Sequence, residues 1–544
     1  MLIVSCPQFR RWQSGSCIVG GNLRKSPLGI SEKRHQRESQ LSQSKTAIPV
    51  PAASTSSPWR RLFSFPAVLA TSLAYLVFVL SRRDISDPDL WWHLRNAQFL
   101  LTQGHFPVVD HYSYTAPGAA VMPFEWLSEL PFFAAYKWAG LTAVFWLVFA
   151  LCTAIVLGVF RLSYLASRDV KNSFVVSVGG AVLAAITIGA RPLLFGWLYL
   201  VVLLLLLAEV REGRWRGLWL VPPLFCLWIN SHGSWPMGML LFGIFIASGL
   251  VEGSWGNAGA TRWTALQLWK LLAAAAASAV AVCINPFGRS LIYYPFSAIF
   301  ASSSGSGSED GDSPGIGNIT EFMSIDFHTP WGKVAMVLIL GLLLVAIFSR
   351  ERWRLDEIGF TMVALYYSLT YSRFLFLAGI LLPPVFARRT KLMTPYERET
   401  DRPLPNAVAL AVLLALFLVS MPRHGKFQEP VQYPESAVAY MKTNGIHNHV
   451  FHEWVWGGYL IWNMPDLKVF IDGRGDPYGG TGVFKDYLDA IGGVGTEKVL
   501  DKYKVSYVLM RPDSLLVQLL KHNPAWTVRY SDKTSVLLER TAKF

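Results

Sequence analysis

Residues 132–160 read FFAAYKWAGLTAVFWLVFALCTAIVLGVF, an apolar stretch longer than the about 20 residues an α-helix needs to cross the about 30 Å hydrocarbon core of a bilayer. Ten further apolar runs accompany it, and together they predict eleven membrane-spanning helices near residues 62–81, 131–160, 173–190, 192–208, 218–230, 234–251, 269–284, 330–348, 357–372, 374–387 and 406–421. Composition agrees: of 544 residues, 52% are hydrophobic and 16% charged, against roughly 25% charged in an ordinary soluble domain. So much apolar surface cannot be hidden in one water-soluble core. The expected fold class is therefore a mainly α, polytopic membrane protein.

Outward from the spans, charge gives an orientation. The net charge of +13 does not form a stripe with interleaved aromatics, which argues against a nucleic-acid partner. The basic residues lie instead in the first sixty residues and between apolar runs. Connections after the second, fourth, sixth, eighth and tenth runs hold fifteen Arg or Lys, while the opposite connections hold six Arg. Positive loops stay in the cytoplasm, so the N-terminus is expected inside and, with an odd number of spans, the C-terminus outside. Residues 1–61 read as a disordered, basic cytoplasmic tail. The five cysteines show neither disulfide spacing nor a zinc pattern.

Three segments are then expected: the tail 1–61, a membrane domain 62–423 with long outer loops at 82–130 and 285–329, and a soluble α/β domain 424–544. The second loop carries SSSGSGSEDGDSPG, a flexible-linker composition. In the C-terminal segment, patterning predicts helices at 434–444, 484–491, 496–503 and 514–521, and strands at 449–452, 468–472, 506–510, 527–530 and 535–539.

Chemistry concentrates at the outer ends of the spans. The first outer loop opens Asp87-Pro-Asp89-Leu-Trp-Trp-His93 and closes Phe124-Glu125-Trp126-Leu127. Carboxylates beside a membrane surface serve as a general base or as oxygen ligands for a divalent cation. An acid at the mouth of an apolar helix, as at Glu125, is costly unless paired or hydrated. Arg191-Pro192, Asn230-Ser231-His232-Gly233, Asn285-Pro286-Phe287-Gly288, Glu321-Phe322 and Ser372-Arg373 fall at the same ends. Arginines in such short outer turns run against the positive-inside bias, so Arg191 and Arg373 are expected to meet something anionic, and a phosphate suits the guanidinium fork. In the C-terminal segment, Asp472-Gly-Arg-Gly-Asp-Pro477 reads as a tight turn or an acceptor site, and Trp454, Trp456 and Tyr459 as sugar-stacking or packing residues.

These residues resemble a known group. One span, an outer loop with an acidic motif (DPDLWWH, then PVVDHYSYT and FEWL), many further spans and an extracytoplasmic C-terminal domain are similar to the GT-C superfamily of polyprenyl-phosphate-sugar-dependent glycosyltransferases. That superfamily includes protein mannosyltransferases, lipid A aminoarabinose transferases and oligosaccharyltransferases. The likeness is nearest to bacterial membrane proteins described as glycosyltransferase-like, with weaker support from RPLLFGW, WINSHGS, NPFG and YSRF. The segments HEWVWGGYLIW and KVFIDGRGD look like theirs and do not match the WWD motif of oligosaccharyltransferases.

What the resemblance implies is an inverting transfer of a sugar from a polyprenyl-phosphate donor to a glycan, lipid or protein acceptor, at the outer face of a bacterial inner membrane. Asp89 takes the role of base, with Asp87 second and Glu125 as a further acid. His93, Arg191, His232, Glu321 and Arg373 become substrate-binding residues, and Asp87 with Asp89 an optional Mg²⁺ or Mn²⁺ pair. Two alternatives remain: a flippase or transporter of lipid-linked saccharides, which calls for polar residues deep within spans and repeated halves, and a non-catalytic cell-envelope assembly subunit, which would tolerate loss of Asp89.

Overall fold

The computed structural model describes residues 62–82, 87–185, 188–303, 323–421 and 432–541. The tail 1–61, Glu321, the Ser/Gly-rich part of the second outer loop and the 423/424 boundary lie outside the described residues.

Helices form over all eleven apolar runs: α1 Phe65–Ser81, α3 Trp126–Ser167, α4 Val170–Ala184, α5 Leu193–Arg211, α6 Val221–Ser231, α7 Trp235–Ala247, α8 Ala265–Val282, α10 Pro330–Phe348, α11 Leu355–Thr370, α12 Leu375–Arg389 and α13 Pro403–Ser420. Two more, α2 Leu90–Gln103 and α9 Arg289–Ser303, fall within the segments read as outer loops. Their starts follow familiar chemistry. The Ser64 hydroxyl accepts from the Ala67 amide before α1, Thr264 and Gln267 form a capping box on α8, and Thr329 caps α10 with Pro330 as its first residue. Among the described residues five helices are long and apolar enough to cross a membrane (α3, α5, α8, α10 and α13), and α1, α4 and α7 are shorter apolar helices.

Helix α3 starts earlier than the expected span and bends at Ala139 and Gly140, where Gly140 has φ 60° and ψ −150°. Only glycine adopts that backbone cheaply. The bend separates an N-terminal portion carrying Glu129 from the apolar portion embedded among α1, α4, α5 and α12. Phe132, Phe145, Val148, Trp197 and Leu382 fill that core.

The C-terminal part is an α/β unit. Strands β1 Gly253–Trp255, β2 Ala258–Ala260 and β3 Trp353–Arg354 make a small sheet elsewhere, at the end of the bundle away from α2. The C-terminal sheet holds β4 Val450–His452, β5 Tyr507–Met510, β6 Trp526–Ser531 and β7 Val536–Arg540 in the order β4-β5-β7-β6, with β4 parallel to β5 and the other pairs antiparallel. The strand expected at 468–472 does not form. Val469 instead makes isolated bridges to Val450 and Ser113, because its backbone exchanges hydrogen bonds with Tyr112 and Tyr114 of the first outer loop. A helix that patterning missed, α15 Gly457–Asn463, follows α14 Glu435–Thr443 and packs on α2. There Trp91 meets Tyr136, Tyr433 and Tyr459 edge to face. The C-terminal unit thus belongs to one compact body with the helices.

Candidate active site

The aspartates come first along the chain. The Asp89 amide donates to Asp87 Oδ1 at 3.0 Å, a local turn that fixes the two carboxylates relative to each other. Asp89 precedes α2 yet makes no side-chain cap; its Oδ1 accepts from the Trp92 indole at 3.1 Å instead. The carboxylate faces Gly473, where a Cβ would collide with it. Asp87 is buried and ion-paired with Arg191 from the turn between α4 and α5. The anion that Arg191 meets is therefore a carboxylate of the chain itself.

A second layer joins α2 to α3. His93 Nδ1 lies 2.9 Å from Glu129 Oε1, which also accepts from Asn96, and Asn96 in turn accepts from the Tyr112 hydroxyl. Glu125 sits between two histidines: its Oε2 is 3.7 Å from His93 Nε2 and its Oε1 is 3.3 Å from His232 Nε2. The Ser234 amide donates to His232 Nδ1 at 3.0 Å, so the neutral ring carries its proton on Nε2, toward Glu125. Arg373, in the 3-10 turn before α12, lies within electrostatic reach of both Glu125 and His232, and Asp89 within reach of His93 and Glu125.

Protonation follows from this packing. Burial pushes the Glu125 carboxyl up to about 8, against the pull of His93. Burial opposes charge on His93, but the Glu129 hydrogen bond and the carboxylates of Glu125, Glu129 and Asp89 outweigh it and raise its pKa. His232 has no such compensation; burial, Arg373 and His93 lower it to about 3. Near pH 7 the site therefore holds a protonated Glu125 and a neutral His232, with His93 shifted toward its protonated form.

The C-terminal loop 472–478 completes the enclosure. Arg474 pairs with Asp472 and Asp110 at 2.7 and 2.8 Å, and the Tyr478 hydroxyl donates to Asp472. Burial disfavours each charge, yet the pairing prevails: Asp472 lies below the ordinary range and Arg474 well above its own. Asp476 accepts from the Tyr294 hydroxyl of α9 and from the Met122 amide beside Glu125. The Asp472–Pro477 turn is thus a structural clamp on the first outer loop. Trp456 and Tyr459 are buried packing residues, and the Trp454 indole donates to the Asp472 carbonyl.

Of the residues singled out from sequence, the structure brings together Asp87 with Arg191, Asp89 with Trp92 and Gly473, and His93 with Glu125, His232 and Arg373. Sequence reading missed Glu129, and it quoted the segments holding Asp110 and Arg474 without seeing that the two pair. Glu129 was the accessible one, four residues after Glu125 and hence on the same helical face. As placed, Asp87 and Asp89 do not by themselves form a divalent-cation site. Asp87 is held by the Asp89 amide and Arg191, and among the described residues no three His, Cys, Asp or Glu come together as a ligand set.

No protein-family model matches the chain, and no curated protein matches it in sequence. Solved structures do. An oligosaccharyltransferase from Archaeoglobus fulgidus, tethered to an acceptor peptide containing the NVT sequon, superposes with a TM-score of 0.51 at 13% identity, over 89% of this chain and 75% of that one. The archaeal oligosaccharyltransferase AglB from the same organism, in complex with an inhibitory peptide and a dolichol-phosphate, gives 0.48 at 12% over 81% and 69%. ArnT from Cupriavidus metallidurans in the apo state gives 0.42 at 13% over 88% and 97%. At such identities the first comparison establishes shared architecture: the chain has the GT-C-like fold of that oligosaccharyltransferase.

Proposed function

We propose that the chain is a membrane glycosyltransferase that moves a sugar from a polyprenyl-phosphate donor to a hydroxyl of a glycan, lipid or protein at the extracytoplasmic face of a bacterial inner membrane. The observation that carries this reading is the meeting of Asp89, Glu125, His93, His232 and Arg373 from three separate connections at one end of an apolar bundle. A lipid-phosphate donor keeps its chain among the spans and its anomeric carbon at the surface, where such a polar pocket meets it. The C-terminal segment, read as an extracytoplasmic domain, closes that pocket through the loop at 472–478.

Asp89 is the base. It removes the acceptor hydroxyl proton as the oxygen attacks the anomeric carbon from the face opposite the phosphate, which leaves with inverted configuration at the sugar. Glu125, protonated, cannot share that role near pH 7; it donates a hydrogen bond within the pocket. Arg373 stabilises the departing phosphate, with His93 behind it. Arg191 orients Asp87, and through it the turn that presents Asp89.

The test is turnover of a polyprenyl-phosphate-linked sugar in membranes bearing wild type, Asp89→Asn or Arg373→Ala. Asp89→Asn is expected to lose about 10² to 10⁴-fold in rate, the range supplied by a positioned base, while Arg373→Ala loses rate with the donor bound. Full turnover in Asp89→Asn would return the choice to the non-catalytic assembly subunit.

A further inference from the structure

Asp89 does not behave as an ordinary helix-capping aspartate. A carboxylate just before a helix normally accepts from the amide of the second or third helical residue, but Asp89 already has helical backbone angles (φ −75°, ψ −22°) and makes no such bond. Its Oδ1 takes the indole N–H of Trp92 at 3.1 Å, from one turn further along the same face of α2. The carboxylate that could have served the helix is spent on a neighbouring ring.

That ring is seated by the C-terminal unit. A Cβ at Gly473 would collide with Asp89 Oδ1 and lie 3.5 Å from Trp92 Nε1, and a Cβ at Gly458, on α15, would lie 2.5 Å from the Pro88 carbonyl oxygen and 3.5 Å from Trp92 Cδ1. Only residues without a side chain allow this approach. The other neighbour of the indole is the His93 ring, with centroids 3.6 Å apart, and His93 faces Glu125 and Glu129. One half-buried aromatic therefore touches the acid of the DPD turn, the histidine beside it and the C-terminal unit. Trp91 contrasts with it: the Trp91 indole nitrogen has no hydrogen-bond partner among the described residues, and its ring packs edge to face on tyrosines.

We propose that Trp92 is a positioning residue for the transfer: it pins one oxygen of the Asp89 carboxylate, and Gly458 and Gly473 hold it there, so that the C-terminal unit sets the geometry of the base. The inference rests on Asp89 being the base. A base acts only within hydrogen-bond reach of the proton it removes, and a carboxylate held in one orientation keeps that reach without a search. A hydrogen bond to an ionised acceptor is among the stronger ones a neutral donor makes, which suits it to select one rotamer.

Two replacements separate the bond from the ring. Trp92→Phe keeps an aromatic in the slot and removes the N–H; Trp92→Gln removes the ring and keeps an N–H the same number of bonds from Cβ. The full chain in lipid nanodiscs is compared by electron cryomicroscopy, and turnover of undecaprenyl-phosphoryl glucose or mannose is followed alongside Asp89→Asn. In Trp92→Phe the Asp89 carboxylate should leave Gly473, and kcat should fall by about tenfold or more, the scale of one hydrogen bond to a charged group, with donor KM and melting temperature little changed. Trp92→Gln should recover part of that rate. Trp91→Phe should do the reverse, lowering the melting temperature and sparing kcat. An unmoved Asp89 carboxylate in Trp92→Phe overturns the inference whatever sugar the chain accepts, as does wild-type kcat in that variant beside an impaired Asp89→Asn. A Trp92→Gln as slow as Trp92→Phe assigns the effect to the ring and overturns it too. Full turnover in Asp89→Asn removes the base itself, and this inference with it.

Discussion

The two ends of one helical bundle carry opposite chemistry. At the candidate site four carboxylates (Asp87, Asp89, Glu125 and Glu129) meet Arg191, Arg373 and two histidines; at the other end four arginines meet Asp356 and Glu357. The spans between them are alike in composition, so the difference lies in the connections. An acid-rich end can accept and hold protons, whereas at the other end the carboxylates Asp356 and Glu357 are each taken up by guanidiniums. It is the acid-rich end over which the C-terminal unit is clamped, and enclosure there raises the proton affinity of Glu125.

The largest effect that would break this contrast is chemical: Asp89→Asn, assayed as above, lowers turnover about 10² to 10⁴-fold while leaving the arginine-rich end and its thermal behaviour intact. Next is the clamp. Arg474→Met leaves Asp110 and Asp472 buried without their cation and is expected to cost about 3–5 kcal/mol of stability, measured by thermal or denaturant unfolding in detergent. A wild-type melting curve would mean that the outer loop is held by its backbone bridges alone.

Smaller and more specific is Gly473→Ala. The new methyl displaces the Asp89 carboxylate, so kcat should fall by about 10²-fold, as for a 1 Å misplacement of a reacting group, with donor KM little changed. A loss confined to KM would place Asp89 in binding and not in proton transfer. Smaller again is a pH effect. The folded state holds the Glu125 proton more tightly than the unfolded chain, from an ordinary value of 4.5 to about 8, so stability falls as pH rises through that window. Raised His93 acts in the same direction. Glu125→Gln should therefore flatten the decline of Tm between pH 5 and 8, and an unchanged slope would remove Glu125 from the buried pair. The smallest expected effect is that of EDTA: with Asp87 held by Arg191, chelation should leave initial rates unaltered, and a metal-restorable loss would show that the aspartates rearrange around a cation.

How much of this was readable beforehand depends on range. Each apolar run became a helix because continuous hydrophobicity over these lengths has few other outcomes in a bilayer, and the acids of DPDLWWH and FEWL stood out because an ionisable group beside a span needs a reason. The strand expected at 468–472 failed because local patterning cannot see that Val469 has a partner in the first outer loop. Trp91 and Trp92, equivalent as interface residues in sequence, divided into a packing residue and a donor to Asp89.

By itself, then, the sequence determined where the helices of the eleven apolar runs lie, that acids and arginines gather at their ends, and the resemblance from which the fold was anticipated. These follow from hydrophobic length and from the cost of charge near lipid, both local along the chain. Tertiary structure alone decided that Asp87 answers Arg191, that Glu125 is shared by His93 and His232, that Gly473 leaves room for the Asp89 carboxylate, and that Glu357 is shared by Arg354, Arg388 and Arg389. Pairings of this kind depend on distances of a few ångströms between residues remote in sequence, and only the packed bundle sets those distances.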